Sequence, residues 1–347
     1  MTKPPLADST ILICGAGAIG GTVAAFFKRA GYDVVAVDAA EEHVAAIRSH
    51  GLRIEGPVSS FTVACDAVTP DRLRGEFDLV LLAVKAQHTR NAVKTLAPHL
   101  APDGVIVSVQ NGLNETVIAE IVGRDRTMGC FINFGADYLA PGKVEYGGRG
   151  AFVLGEIDGR MTDRLNQVHE IVLSFEPDAV VTDNIFGYLW SKMAFFALLI
   201  SQTLSDVPTE EFLDDPKFRP LLHRIVGEVA KVANAEGIEL MSYQGFDASS
   251  FLTADAATMN ATIDAYADAR RGSAKLHSGI WRDLAVRKRP TEVGSQSAPI
   301  MDAARGHGID TPVFERAIEM IGAVEAGQLE LSGALAEELL ELAELSS

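Results

Sequence analysis

Gly15, Gly17 and Gly20 stand as G-x-G-x-x-G between the apolar run Thr10-Ile-Leu-Ile-Cys14 and the helical spacing of Val23, Phe26 and Phe27. That pattern suits a dinucleotide. The first glycine permits a tight turn, the second lets backbone approach a pyrophosphate, and the third lets helix and strand pack closely. A helix N-terminus there adds unpaired N–H groups and a partial positive charge. Gly15, Ala16, Gly17, Ala18, Ile19 and Gly20 are therefore the expected cofactor-binding loop, on condition that a strand precedes it and a helix follows. Asp38 closes the next apolar run about 20 residues on, where a carboxylate can accept from both hydroxyls of an adenosine ribose. A 2′-phosphate would face that charge. The following Ala39-Ala40-Glu41-Glu42 adds further acids and no arginine, so NAD is expected over NADP. Asp38 could instead cap the helix that follows it.

These residues need a frame to hold them. Residues 10–14 read as a strand, the spacing that ends at Gly31 as a helix, 33–38 as a second strand and 41–50 as a second helix, which together make a βαβ unit. Buried-strand runs at 78–84 and 104–109, with a helical stretch at 89–99 between them, extend a parallel sheet. After about Phe131 the pattern turns glycine-rich, with antiparallel pieces at 142–146 and 151–155, then a helix and a last strand at 179–182. Beyond Asn184 strand signals nearly vanish, and 186–345 reads as helices broken at Pro208, Pro216, Gly237, Pro290 and Pro312. The expected fold is α/β: an N-terminal Rossmann domain with a doubly wound parallel sheet over 1–183, then an all-α domain over 184–347 for substrate binding and dimerisation.

With 347 residues, 48% hydrophobic and 22% charged, the chain has the balance of a globular protein of two domains. A net charge of −17, with Arg287-Lys288-Arg289 as the one short basic run, argues against a nucleic-acid ligand. The first ten residues hold no apolar stretch to serve as a secretory signal. The longest apolar segment, 193–200, falls short of the ~20 residues a spanning helix needs. A cytoplasmic enzyme that meets no membrane is expected. Cys14, Cys65 and Cys130 are widely spaced with no C-x-x-C pair, and the histidines are scattered, so neither a disulfide framework nor a metal site is expected.

Several short pieces, in order, carry a resemblance: Gly15-Ala-Gly-Ala-Ile-Gly20, Ala83-Val-Lys85-Ala86, Gln110-Asn111-Gly112, Trp190-Ser-Lys192, Pro290-Thr-Glu292 and Gly306-His-Gly-Ile-Asp-Thr-Pro312. Over most of its length the chain resembles the 2-dehydropantoate 2-reductase (ketopantoate reductase) family. The resemblance implies that Lys192 is the catalytic acid and that Glu292 binds and orients substrate. It also implies that Lys85 and Asn111 lie near nicotinamide and substrate, and it makes Ser278 the candidate substrate-binding serine. The residues by themselves leave alternatives open. On a helix Lys192 would neighbour Tyr188, Leu189, Phe195 and Phe196, an apolar setting that should lower its pKa and let it stabilise and protonate an alkoxide. It could equally snorkel to solvent. Lys85 could cap a sheet edge, Asn111 could belong to an ordinary Asn-Gly turn, Glu292 could be a solvated charge, and Ser278 could cap a helix. His277 shares a helical face with Trp281 and Leu284 and reads as structural.

One departure bears on substrate. Where the family carries asparagines one and two turns after its lysine, this chain has Phe196 and Ile200, which exchanges a hydrogen-bonding wall for an apolar one. An NAD-dependent oxidoreductase that interconverts a ketone and a secondary alcohol is therefore expected, with a substrate bulkier and less polar than ketopantoate. The substrate would meet Phe196, Ile200 and the segment that holds Trp281. Authentic ketopantoate reduction and a non-catalytic NAD-binding module are the alternatives, and a homodimer is expected. The extra stretch at 246–275 could form a lid or a dimer contact.

Overall fold

The computed structural model describes residues 6–253, 255–271 and 276–345. It divides into two compact units, Met1–Ile185 and Phe186–Ser347. The first carries strands β1 (Ile11–Cys14), β2 (Val34–Val37), β3 (Leu52–Glu55), β4 (Phe61–Val63), β5 (Asp66–Val68), β6 (Phe77–Leu82), β7 (Leu100–Ser108), β8 (Thr127–Ala140), β9 (Lys143–Glu156) and β10 (Val180–Val181). Its helices are α1 (Ala18–Arg29), α2 (Glu41–His50), α3 (Thr89–Leu96), α4 (Glu115–Val122) and α5 (Asp163–Leu173).

The strands form one sheet in the order β4-β3-β9-β8-β7-β6-β1-β2-β5, and β10 pairs with β9. β1 runs parallel to both β2 and β6, with Ile11 opposite Val34 on one side and Leu79 on the other. Both faces are covered, which is why these strands read as continuous apolar runs. Ile11, Ile13, Leu79 and Leu81 join the core under α1 and α5, while Leu12, Cys14, Val80 and Leu82 join a second core under α3 and α4.

Two sequence expectations need correction. The glycine-rich pieces at 142–146 and 151–155 are one strand of 14 residues, β9, paired antiparallel with β8. The turn between them is Pro141-Gly142, where Gly142 has φ +72. Strands β3, β4 and β5 were not foreseen, because they are three or four residues long and only partly buried, with no apolar run to betray them.

The second unit is helical. It holds α6 (Ile185–Ser205), α7 (Thr209–Asp214), α8 (Arg219–Ala235), α9 (Ala256–Arg270), the single turn α10 (Gly279–Trp281), α11 (Val293–His307), α12 (Pro312–Glu325) and α13 (Gly333–Leu345). The helix breaks fall near the prolines: Pro208 immediately precedes α7, and Pro312 occupies the first helical position of α12, where a missing N–H costs nothing. The first N–H groups of α12 are satisfied from a distance, since the buried Glu228 carboxylate accepts from Phe314 at 2.8 Å and from Arg224 Nε at 2.8 Å. The apolar segment expected at 193–200 is part of a much longer helix. By length and composition α6 could cross a membrane, but 78% of its apolar window is buried inside the protein, as befits a core helix.

Candidate active site

The condition set on the glycine motif is met: β1 ends at Cys14, and α1 begins at Ala18 with Gly17 as its N-cap. Each glycine has its own reason. Gly15 has φ +92, and a Cβ on it would lie 2.7 Å from the Val84 nitrogen. On Gly20 a Cβ would overlap the carbonyl oxygen of Gly15. On Gly17 it would meet nothing within 4 Å, so the room there is left for something other than protein. That room belongs to a cavity of about 520 Å³, lined among others by Gly15, Gly17, Asp38, Lys85 and His88. Its size suits a small-molecule cofactor.

Asp38 sits at the end of β2 and ties the loop together. Its Oδ2 accepts the Ala16 N–H at 2.9 Å and its Oδ1 accepts the Ala40 N–H at 3.0 Å. Both sequence readings thus coexist, because each oxygen keeps a lone pair beyond the one used to hold backbone. Burial, with Asp38 adding to it, pushes the Cys14 thiol up to about 12, so an inert neutral thiol lines the cavity wall. Ala18, Ile19 and Gly20 form the first turn of α1, where N–H groups have no intrahelical partner. The lining fits a dinucleotide. The loop N–H groups would hold the pyrophosphate, and Asp38 would hold the ribose.

Lys85 follows β6 at the carboxyl edge of the sheet and lines the same cavity, half-buried, while Asn111 lies exposed in the loop after β7. A buried network that sequence reasoning did not single out joins these two loops. Gln110 Nε2 donates to the Val84 carbonyl at 2.7 Å and to Thr89 Oγ1 at 2.8 Å. Thr89 Oγ1 donates to Asn114 Oδ1 at 3.1 Å, and Asn114 Nδ2 donates to the Asn111 carbonyl at 2.8 Å. The Gln-Asn-Gly motif was the available signal, since its glutamine is the anchor. Next to it, Glu115 is fully buried, with neither carboxylate oxygen in hydrogen-bond geometry. Burial raises it to about 7, moderated by the nearby N–H groups of Glu115 and Asn114 and the Ser108 hydroxyl.

In the helical unit Lys192 lies half-buried in the second turn of α6, and Leu189, Phe195 and Phe196 beside it are buried. Glu292 is half-buried at the N-cap of α11, where its carbonyl accepts the Gln296 N–H at 2.9 Å. Phe195 is the hub of an aromatic cluster, with ring centroids 4.6 Å from Tyr266, 5.2 Å from Phe246 and 6.5 Å from Tyr243. A tight turn at Gln244 and Gly245, both at positive φ, delivers Phe246 to it. Phe246 and Tyr266 of the extra stretch at 246–275 therefore pack on the helix that bears Lys192, while residues 254 and 272–275 of that stretch lie outside the described residues.

Family models described as "Ketopantoate reductase PanE/ApbA" and "Ketopantoate reductase PanE/ApbA C terminal" match residues 11–159 and 184–325. The chain belongs to the ketopantoate reductase family. It is a pyridine-nucleotide-dependent oxidoreductase acting on CH–OH groups. The 2-dehydropantoate 2-reductase of Archaeoglobus fulgidus is 28% identical over 323 residues, which span 91% of this chain and 98% of its own. That of Halobacterium salinarum is 26% identical over 315 residues, spanning 90% and 97%. Among solved structures, D-mandelate dehydrogenase with NADH and anilino(oxo)acetate matches with a TM-score of 0.78 at 22% identity, over 92% of this chain and 99% of its own. The 2-dehydropantoate 2-reductase from Geobacter metallireducens matches with a TM-score of 0.76 at 25% identity, over 92% and 100%.

Within this family member, three expectations about the substrate wall change. Ile200 is 0% exposed and packs as a core side chain, with no surface open to a substrate. Phe196 keeps 8% of its surface. Ser278 caps α10, accepting the Trp281 N–H at 3.1 Å, and its hydroxyl lies 2.8 Å from that of Thr203. Thr203 donates to the Leu199 carbonyl at 2.8 Å, which leaves its oxygen to accept from the Ser278 hydroxyl. Thr203 also lies roughly 16 Å along α6 from Lys192 by helical rise. Trp281 is likewise far from that end: its indole N–H donates to Asp206 Oδ1 at 2.7 Å, just past the end of α6, and its ring stacks on His277 at 3.7 Å. It lines a separate hollow with Lys288 and Glu325. The basic run is no free patch either, because Arg287 and Arg289 both bind Asp283 at 2.9 Å.

Proposed function

We propose that this enzyme is NAD-dependent and interconverts a ketone that bears an apolar group beside the carbonyl with its secondary alcohol. The observation that carries the cofactor choice is Asp38, a carboxylate in the cavity of the glycine loop whose lining includes no arginine. A 2′-phosphate placed there would sit against its charge. A nicotinamide supplies the hydride in the reducing direction. Lys192 then stabilises the alkoxide oxygen and gives it a proton, aided by its half-buried setting beside Leu189, Phe195 and Phe196. Glu292 accepts a hydrogen bond from substrate and orients it. Lys85 and Asn111, at the carboxyl edge of the sheet where open α/β folds take ligands, serve the nicotinamide end.

Phe196, one turn beyond Lys192, supports the apolar substrate. D-mandelate dehydrogenase, which shares the fold, acts on an aryl 2-hydroxy acid, so the fold accommodates one. Burying a phenyl ring of ~100 Å² is worth roughly 2.5 kcal/mol. The second reading is ketopantoate reduction itself, favoured by relatives of that name that match nearly end to end. Initial rates with NADH and NADPH, against ketopantoate, phenylglyoxylate and branched 2-keto acids, separate the two. We expect NADH and the apolar keto acids to give the higher kcat/KM. A preference for NADPH of about tenfold overturns the cofactor reading, and a clear win for ketopantoate restores the second reading. We further propose a cytoplasmic homodimer, which light scattering of the purified protein tests.

A further inference from the structure

The glycine loop has a support that its own motif does not contain. His43, on α2, is 1% exposed, and its ring is held at both nitrogens. The Gly142 N–H donates to Nδ1 at 2.9 Å. A ring nitrogen that accepts carries no hydrogen, so the hydrogen is on Nε2, which lies 2.8 Å from the Ala16 carbonyl oxygen and donates to it. The far anchor is firm: Gly142 sits in the β8–β9 turn, its carbonyl accepts the Arg53 N–H at 2.9 Å, and the Tyr138 ring packs edge-on against the imidazole at 5.2 Å.

The consequence lies one residue on. Asp38 holds the Gly15–Ala16 peptide plane through the Ala16 N–H, and His43 holds the Ala16–Gly17 plane through the Ala16 carbonyl. No peptide bond in the described residues is cis, and in a trans peptide the N–H of Gly17 points opposite to the carbonyl of Ala16. With that carbonyl bonded to the buried His43, the Gly17 N–H is turned away from the buried side, and Gly17 itself lines the cavity, where a Cβ on it would meet nothing within 4 Å. We infer that His43 is a positioning residue for the cofactor: it couples the glycine loop to the β8–β9 turn and so aims the Gly17 N–H at the pyrophosphate. This rests on the dinucleotide reading of the cavity.

The test uses the full chain and ADP-ribose, which carries the pyrophosphate without nicotinamide, beside adenosine, which lacks phosphate, and NADH. In His43→Leu we expect the Kd for ADP-ribose and for NADH to rise about tenfold, the scale of one lost charge-assisted hydrogen bond. Adenosine affinity should stay unchanged, and kcat at saturating NADH should stay within about twofold. His43→Gln, whose amide offers an acceptor and a donor in similar places, should return the ADP-ribose Kd to within about threefold of the parent. A folded Leu variant with unaltered ADP-ribose binding, or with ADP-ribose and adenosine weakened equally, overturns the inference. Should that variant not fold, nitrogen NMR of the parent protein decides: an imidazolium or an Nδ1–H tautomer at His43 overturns it, and the Nε2–H tautomer with a Gly17 amide shifted by ADP-ribose supports it. If the parent protein binds neither NADH nor ADP-ribose, the dinucleotide reading itself has failed.

Discussion

The glycine loop of the first unit and the Lys192 helix of the second present chemistry in opposite ways. In the loop the groups proposed to meet the cofactor are backbone N–H groups, and side chains such as Asp38 and Gln110 spend hydrogen bonds on holding backbone in place. On α6 the backbone is consumed by the helix, and the candidate chemistry rests on one side-chain amine whose surroundings are set by packing. Truncating a side chain should therefore alter affinity and cofactor choice in the first unit, and turnover in the second.

The largest expected effect tests that division directly. Lys192→Ala should lower kcat by roughly 100-fold or more, the usual order for removing a positioned acid, with the Kd for NADH nearly unchanged. A variant that keeps more than about a third of the parent kcat when chemistry limits turnover would remove Lys192 from the role. A variant that instead loses NADH binding would break the contrast between the units.

Glu115 is the exception inside the first unit, a side chain buried at the loop with no compensating geometry, and it should reveal itself in stability rather than turnover. Its folded pKa is raised, to about 7 from the ordinary 4.5. The folded state therefore binds the proton more tightly. The stabilisation is fully present below about pH 4.5 and is lost as pH rises through about 7. Glu115→Gln keeps the shape without the charge, so its stability advantage over the parent should open across that window and level off above it, at ~3 kcal/mol by order of magnitude. Denaturant unfolding at pH 5 and pH 8 checks this. A gap that is the same at both values counts against a buried, titrating Glu115.

A smaller effect is expected at Asp38. Asp38→Ala removes the charge that opposes a 2′-phosphate and also frees the Ala16 and Ala40 N–H groups. NADH use should fall, and the ratio of kcat/KM for NADPH to that for NADH should rise by about tenfold, while kcat at saturating NADH changes little. An unchanged ratio would mean that specificity is set elsewhere in the cavity.

Least is expected at Ser278, where two roles make opposite demands. As a helix cap bonded to Thr203 it should cost about 1 kcal/mol on Ser278→Ala, seen as a lower Tm with an unaltered KM. A higher KM at unaltered Tm would return it to the substrate.

The parallel strands β1, β2 and β6, and the second half of β7 from Gly104, were legible because they are buried on both faces and so are almost wholly apolar. β3, β4 and β5 were not, since a short strand with one wet face has the composition of a loop. The hairpin of β8 and β9 was seen only as fragments of β9, because its glycines interrupt the apolar pattern and the register shifts between Asn133 and Gly135, opposite Gly148 and Ala151.

For the site, the sequence alone determined what lies within about one turn of its own motif: the glycine loop and the apolar neighbours of Lys192 along α6. Local backbone geometry carries those relations, and it repeats wherever the motif occurs. The tertiary structure alone decided that Ile200 is core, that Ser278 and Trp281 lie at the far end of α6, and that His43 joins Ala16, 27 residues before it, to Gly142, 99 residues after it. Each of these depends on which distant surface or polar group a side chain meets after packing. A hydroxyl, an indole or an imidazole will satisfy itself with any partner in reach, and no spacing along the chain names that partner.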